Sequence, residues 1–148
     1  MKKASSDLLL LDVNVLIALA WPNHQFHRAA TERMGLTTRW ATCALTELGF
    51  VRISSNPGAI PGAKTPAQAA ALLSLMVKDS RHVFLQSLPS PVAGHMAPGL
   101  EKILGHQQIT DAYLLALAGR HGATLLTFDA RLKHFAPSPS ALEVLGES

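Results

Sequence analysis

Residues 8–20, with the sequence LLLLDVNVLIALA, form an apolar run that only Asp12 and Asn14 interrupt. Four consecutive leucines predict a strand that is buried on both faces, as the strands of parallel sheets are. The apolar pattern after Asp12 predicts that the chain passes from this strand directly into a helix. An unpaired carboxylate in such surroundings is costly, so Asp12 is the first candidate for a functional residue.

Short apolar runs alternate with longer helical patterns along the rest of the chain, which is typical of βαβ units. Strands are predicted at residues 8–12, 39–42, 82–86, 123–128 and 142–145. Helices are predicted at residues 13–20, 25–34, 44–53, 66–78, 100–104, 109–121 and 130–135, with a loop at residues 87–99. The predicted fold is therefore α/β, a three-layer α/β/α sandwich around a mostly parallel sheet.

Length and composition narrow the class of protein. The 148 residues have the size of one domain, and we expect residues 1–148 to form it. Charged residues make up 16% of the chain, against about 25% in an average soluble protein, which favours an apolar surface that a partner or a second copy covers. The net charge of +3 permits an anionic partner without demanding one. A single cysteine, Cys43, excludes an internal disulfide and is typical of a cytoplasmic protein.

The N-terminal segment superficially resembles a secretory signal, because two lysines precede an apolar stretch that ends in Ala18-Leu19-Ala20. Asp12 argues against this interpretation, since an aspartate at the centre of an inserting helix costs about 2.5 to 3.5 kcal/mol. No other window approaches the roughly 18 apolar residues of a membrane span. We therefore expect neither a signal peptide nor a transmembrane helix.

Four of the ten acidic residues occupy positions that an ordinary polar surface does not explain. Asp12 ends one buried strand and Asp129 directly follows another. Ligands of open α/β sheets bind beyond the carboxyl ends of the strands, so both acids should point toward the same edge. Glu47 lies on what should be the core-facing stripe of its helix, and Asp111 is at the start of an apolar helix.

Each acid also has a structural interpretation. Asp111 has the position of a helix cap or of a first-turn acid, and Asp129 that of a residue starting a turn. Glu47 has a candidate partner in a buried arginine such as Arg52. Asp12 is the hardest to explain structurally, because acids at the ends of leucine-rich parallel strands rarely have a packing role.

Bringing these acids together requires positive charge. Two carboxylates about 5 Å apart repel each other by roughly 3 kcal/mol at an effective dielectric constant near 20. We expect no lysine or arginine within the local motifs around Asp12, Asp111 or Asp129 to neutralise them, so protons or a divalent cation must do so. Oxygen ligands without a cysteine pair or a histidine cluster favour Mg²⁺ or Mn²⁺ over Zn²⁺. Such a site is typical of phosphate chemistry.

Four motifs, taken in chain order, resemble the PIN domain, and specifically the VapC toxins of bacterial toxin–antitoxin pairs. They are Asp12 with Asn14 after the leucine-rich strand, Thr46-Glu47 on a helix, Ile109-Thr110-Asp111-Ala112, and Leu126-Thr127-Phe128-Asp129. The resemblance covers nearly the whole chain. One departure is Val13, which stands where many relatives have a small residue.

The resemblance implies a four- or five-stranded parallel sheet, a homodimer, and an endoribonuclease that depends on Mg²⁺ or Mn²⁺. It also implies a VapB-type antitoxin that occupies the active-site cleft. The family's metal-site carboxylates match Asp12, Glu47, Asp111 and Asp129. Asn14 and Thr127 match positions that support those acids by hydrogen bonds, and Thr110, beside Asp111, is a further candidate supporting residue.

RNA bases would find candidate stacking partners in Trp21 and Trp40, although packing is the simpler explanation of both. Two other functions remain open. A haloacid-dehalogenase-like phosphatase also begins with an aspartate at a strand end, but it requires a second aspartate where this chain has Asn14. A catalytically inactive PIN module that binds RNA or protein is the other alternative, and the presence of all four acids argues against it.

Overall fold

A five-stranded sheet forms the centre of the computed structural model, which describes residues 8–94, 96–100 and 105–146. The strands are β1 (Leu8–Leu11), β2 (Arg39–Cys43), β3 (His82–Leu85), β4 (Thr124–Thr127) and β5 (Leu142–Val144). Their spatial order is β3-β2-β1-β4-β5, and each neighbouring pair is parallel. The predicted parallel sheet is confirmed, with β1 at its centre.

Helices cover both faces of the sheet, which confirms the three-layer α/β/α sandwich. They are α1 (Val13–Ala20), α2 (His27–Met34), α3 (Ala44–Ser54), α4 (Pro66–Met76) and α5 (Ile109–Arg120). Successive side chains of a strand point to opposite faces, and the leucines of β1 follow this rule. Leu9 and Leu11 pack in a cluster with residues of α1 to α4, including Phe50. Leu8 and Leu10 pack in a second cluster with residues of α5, including Leu117.

The apolar run of residues 8–20 is divided between two elements of the core. All four leucines of β1 are buried, and α1 buries Val15, Leu16, Ile17 and Ala18. β1 ends at Leu11, one residue earlier than predicted, because Asp12 caps α1 and its side chain accepts a hydrogen bond from the Val13 N–H. No helix in the described parts of the chain is long and apolar enough to cross a membrane.

Several predicted boundaries differ from the structure by a few residues. α2 begins at His27 rather than residue 25, and α4 ends at Met76 rather than residue 78. The segment predicted as the loop 87–99 ends in a 3-10 helix at Ala97–Leu100, and the predicted short helix at 130–135 is a 3-10 helix at Ala130–His134. The predicted helix at 100–104 falls, after its first residue, outside the described residues.

A glycine allows α3 to pack closely against the start of α1. A Cβ atom on Gly49 would lie 2.7 Å from Cγ2 of Val13, which is closer than such atoms approach in folded proteins. Val13, which stands where many relatives have a small residue, therefore fits because position 49 is a glycine. This contact helps to hold α1 directly after Asp12.

We expect Gly49→Ala to lower the free energy of unfolding by about 1 to 3 kcal/mol, because the added methyl group overpacks this contact. Val13→Ala in the same chain should restore most of the loss. Gly119→Ala is the matched control, because position 119 of α5 has open space around its Cα and alanine favours helix there. Urea denaturation measures the difference, and equal stability of the two alanine variants would contradict the explanation.

Candidate active site

The candidate site lies where the direction of the chain connections across the sheet reverses. β1 has β2 on one side and β4 on the other, and such a reversal opens a crevice at the carboxyl ends of the strands. Asp12 directly follows β1, and its backbone N–H donates to the Leu126 carbonyl of β4 at 2.9 Å. Asp129 is two residues beyond β4. The structure thus places both strand-end acids at the same crevice.

Thr127 connects three polar residues of this crevice. Its hydroxyl donates to Oδ2 of Asp12 at 2.8 Å and accepts from Nδ2 of Asn14 at 3.2 Å. It also accepts from the backbone N–H of Asp129 at 3.1 Å. One donated and two accepted bonds use the full capacity of a hydroxyl group. Thr127 and Asn14 therefore make the hydrogen bonds that a supporting role requires.

Asp12 and Asn14 each make a second fixed contact. Oδ1 of Asp12 accepts from the Val13 N–H at 2.7 Å, and Oδ1 of Asn14 accepts from the Phe128 N–H at 3.3 Å. Asp12 is buried, with a relative exposure of 6%. Its carboxylate is consequently held in one orientation by two donors from different parts of the chain.

We expect Thr127→Val, which keeps the shape of the side chain but removes the hydroxyl, to destabilise the protein by about 1 to 3 kcal/mol. The buried Asp12 carboxylate loses a donor, and both Asn14 and the Asp129 backbone lose an acceptor. Thr127→Ser retains the hydroxyl and is the control. Unfolding in denaturant at neutral pH separates the two variants, and equal stability would show that the hydroxyl is not what supports the crevice.

Three aspartates influence one another electrostatically. The pKa of Asp111, in the first turn of α5, is raised to about 6, mainly by burial and in addition by the negative charges of Asp12 and Asp129. Burial also raises the pKa of Asp12, against the hydrogen bonds from Thr127 and Val13, and the charge of Asp129 acts in the same direction as burial. Asp12, Asp111 and Asp129 thus form a partly buried anionic group, which we call the aspartate cluster.

Arg131 corrects one expectation, because a cation does lie beside this cluster. Its Nε and Nη2 atoms lie 2.9 and 2.8 Å from Oδ1 and Oδ2 of Asp129, and its backbone N–H donates to Oδ1 at 3.0 Å. These bonds lower the pKa of Asp129. The structural interpretation of Asp129 as the start of a turn is therefore also met, since it caps the 3-10 helix Ala130–His134.

Glu47 has a different neighbourhood. It lies in the first turn of α3, beyond the end of β2, and its Oε2 accepts from the Thr42 hydroxyl at 2.7 Å. That hydroxyl also lies 2.8 Å from Nε2 of His82 on β3. Because Thr42 gives its one proton to Glu47, His82 is the donor in the second bond. The expected partner Arg52 is exposed and is not used.

The carboxylates do not form a ready coordination shell. In residues 8–94, 96–100 and 105–146, no group of three His, Cys, Asp or Glu side chains is arranged so that it holds an ion. Asp129 faces Arg131 and Glu47 faces Thr42. Thr110 is exposed on α5, and its supporting role stays a prediction.

Neither tryptophan offers a free face for RNA bases. Trp40 is buried with a relative exposure of 4%. Trp21 is half-buried, donates to the Ser54 hydroxyl at 3.2 Å and carries the Lys64 ammonium 5.4 Å from its ring centre. Packing explains both residues.

Arg131, Thr42 and His82 were not identified from the sequence. Arg131 follows Asp129 by two positions, a spacing that allows a side chain to fold back on a capping acid, so a sequence signal existed. Thr42 is five residues before Glu47, whereas His82 reaches the Thr42 hydroxyl only through the pairing of β2 with β3. The sequence carries no local signal for the contact of His82.

Comparisons with known proteins agree with this arrangement. The PIN domain family model matches residues 9–137. The chain is 44% identical over 138 residues to Ribonuclease VapC39 of Mycobacterium tuberculosis (strain ATCC 25618 / H37Rv), an alignment that covers 92% of this chain and 98% of that protein. It is 44% identical over 125 residues to Ribonuclease VapC38 of the same strain, covering 83% and 86% of the two chains.

Solved structures show the same fold at lower sequence identity. VapBC2 from Rickettsia felis, bound to a DNA fragment from its promoter, has a TM-score of 0.64 at 17% identity, over 93% of this chain and 98% of that one. VapC20 of Mycobacterium tuberculosis, a sarcin-ricin loop cleaving toxin, has a TM-score of 0.60 at 13% identity, over 84% and 92%. With the family match and two relatives at 44% identity along most of its length, this chain belongs to the PIN domain family, in its VapC branch.

Proposed function

We propose that this protein is an endoribonuclease that depends on Mg²⁺ or Mn²⁺ and acts as the toxin of a toxin–antitoxin pair. The observation that carries the proposal is the aspartate cluster at the crevice between β1 and β4, where the charge of Asp129 raises the pKa of Asp12 and the charges of Asp12 and Asp129 raise the pKa of Asp111. The 44% identity to two proteins named as VapC ribonucleases supports RNA as the substrate. The cytoplasm is the proposed place of action.

The donor atoms of the cluster fit a hard dication. They are carboxylate oxygens, which Mg²⁺ and Mn²⁺ prefer. Three ionised carboxylates face the single positive charge of Arg131, so the cluster retains an excess of negative charge. Burial makes that excess costly, and a dication relieves it without protonating the acids.

Asp12 and Asp111 would hold the ion, with Asp129 and Glu47 as further ligands, directly or through water. Asp129 would have to turn from Arg131 for this, and Glu47 from Thr42. A bound dication supplies Lewis-acid stabilisation to a phosphodiester and lowers the pKa of a nearby water.

The chain's own residues orient the acids and exclude solvent. Thr127 and the Val13 N–H fix the Asp12 carboxylate, which cannot rotate without losing both bonds. Asn14 ties the backbone of Phe128 to α1 and so sets the position of the next residue, Asp129. The apolar packing below Asp12 keeps water from its inner side.

A VapB-type antitoxin is the proposed partner, and a homodimer the proposed form of the protein. An open groove of about 530 Å³ lies between α3 and α4, and Val51, Leu73 and Glu47 are among the residues that line it. Leu48, which also lines the groove, and Leu75 of α4 are 60% and 65% exposed. Apolar side chains exposed in this way are typical of surfaces that a protein partner covers.

A single set of assays on the purified full chain tests the proposal. A 5′-labelled RNA should be cut internally in Mg²⁺ and left intact in EDTA, and sequencing the new ends should give defined positions. A cognate VapB-type antitoxin should suppress the cutting. p-Nitrophenyl phosphate should not be hydrolysed, which separates a nuclease from a phosphatase. Intact RNA in Mg²⁺ would contradict the proposal.

An inactive PIN module that binds RNA or protein is the second candidate function. It is favoured by the absence, within the described residues, of a ready group of three ligating side chains. The same RNA assay separates the two candidates, because an inactive module retards RNA in a gel without producing new ends.

A further inference from the structure

We propose that Arg131 binds a backbone phosphate of the RNA beside the cleaved bond, and that Asp129 holds this guanidinium in place until substrate and cation arrive. The inference rests on the proposed function, since it assigns a residue to the binding of that substrate. It also explains why Asp129, a predicted metal ligand, is paired with an arginine in this structure.

The contact between the two side chains has the geometry of anion recognition by arginine. Nε and Nη2 of Arg131 each reach one oxygen of the Asp129 carboxylate, at 2.9 and 2.8 Å. The planar guanidinium matches the two oxygens of a phosphate in the same forked way. The Asp129 carboxylate therefore occupies the donors that a phosphate of RNA would use.

Arg131 lies on the solvent side of the pair. Its side chain is 74% exposed, whereas that of Asp129 is 20% exposed. An ion pair this exposed contributes little to stability, so the guanidinium can exchange one anion for another at small cost. A ligand that approaches the crevice from solvent meets Arg131 before it meets Asp129.

The backbone of Arg131 is fixed, although its side chain is mostly exposed to solvent. Arg131 lies in the 3-10 helix Ala130–His134, which Leu132 anchors in the core with no exposed surface. The Leu132 N–H donates to the Asp129 carbonyl at 3.2 Å. Loss of the contact with the Asp129 carboxylate would release the guanidinium of Arg131, while the backbone of the 3-10 helix stays at the rim of the crevice.

Arg131 also acts on a second member of the cluster, since its charge opposes the rise in the pKa of Asp111. Three other arginines in the described part of the chain pair with acids elsewhere. Arg33 pairs with Glu143, Arg81 with Asp79, and Arg28 with Glu32 on α2. A dication that took the Asp129 carboxylate as a ligand would release Arg131, and the released guanidinium would remain at the crevice, within reach of an RNA phosphate.

Two affinities that move in opposite directions test the inference. In the non-cleaving Asp12→Asn background, where an RNA phosphate alone must replace the Asp129 carboxylate on the guanidinium, Arg131→Gln should weaken binding of a fluorescent single-stranded RNA about tenfold at low salt. The slope of log K against log salt concentration should fall by about 0.7, the value for one phosphate contact to a single strand. With Asp12 intact, Arg131→Gln should tighten Mn²⁺ binding, because the competing cation at Asp129 is gone.

Arg28→Gln is the matched control, because Arg28 is likewise an exposed arginine paired with an acid. It should change neither affinity. Arg131→Lys, which keeps the charge but not the fork, should recover part of the RNA affinity. Two results would overturn the inference: an unchanged salt slope of RNA binding in Arg131→Gln, or a fall of RNA affinity and Mn²⁺ affinity together. Either would mean that Arg131 only holds Asp129 in position. If these results accompany Mg²⁺-dependent cleavage by the wild-type protein, the proposed function stands and only the role of Arg131 fails.

Discussion

Asp12→Asn is expected to reduce Mg²⁺-dependent RNA cleavage by about a thousandfold or more, while the protein still folds. Asparagine has nearly the same shape as aspartate and keeps an oxygen that accepts from Thr127 or Val13, so the packing around β1 and α1 survives. It removes the buried negative charge that, with Asp111, attracts the dication. Initial rates on a labelled RNA measure the loss, and far-ultraviolet circular dichroism verifies the fold.

The control for this variant is an acid outside the crevice. Glu32, on the exposed face of α2, pairs with Arg28, and Glu32→Gln should cleave RNA at the wild-type rate. If Asp12→Asn retained more than a tenth of the activity, Asp12 would not be a catalytic residue, and the cluster would have to act through Asp111 and Asp129 alone.

Asp111→Asn is expected to stabilise the metal-free protein by about 1 to 2 kcal/mol at pH 7.5, a value that allows for screening at a half-buried side chain. The ionised Asp111 carboxylate repels Asp12 and Asp129 and lies in a poorly solvated place. The neutral amide removes both costs. Urea denaturation in EDTA measures the gain, and a variant no more stable than the wild type would contradict the electrostatic description of the cluster.

The stability that Asp111→Asn gains over the wild-type protein should increase with pH. The pKa of Asp111 is about 6 in the folded protein, above its ordinary value of 3.8, so the folded state binds the proton more tightly than the unfolded state does. Protonated Asp111 contributes its full share to the free energy of unfolding of the wild-type protein below about pH 3.8. This contribution is lost as the pH rises through 6. The advantage of Asp111→Asn should therefore vanish near pH 4 and be complete above pH 7.

The central sheet could be predicted because its signals are local and repeated. Leu8–Leu11 is apolar at every position, which only a strand covered on both faces tolerates, and both clusters of the core include leucines of this strand. Thr65 and Pro66 mark the start of α4 as expected, with Thr65 and Gln68 in a capping box. The start of α2 and the end of α4 were each misplaced by two residues, because the terminal turns of a helix depend on tertiary contacts more than on their own sequence.

Residues of the crevice could be predicted as candidates, but not their partners. Asp12 and Asp129 follow buried strands, and parallel strands bring their carboxyl ends to one edge. Which anion or cation each acid faces depends on side-chain torsions, and these have no sequence signature. Arg131 folds back on Asp129, and Glu47 turns to Thr42. The metal-ligand roles of Glu47 and the three aspartates remain predictions for experiment.

The most direct test of the account is the effect of Mn²⁺ on thermal unfolding of the wild-type protein and of Asp12→Asn. With free Mn²⁺ at 100 times its dissociation constant, the wild-type protein should gain about 2.7 kcal/mol over the protein in EDTA. Asp12→Asn should gain far less at the same concentration, because the buried ligand is missing. Equal stabilisation of both proteins, or none of the wild type, would contradict the claim that Asp12, Asp111 and Asp129 form one dication site.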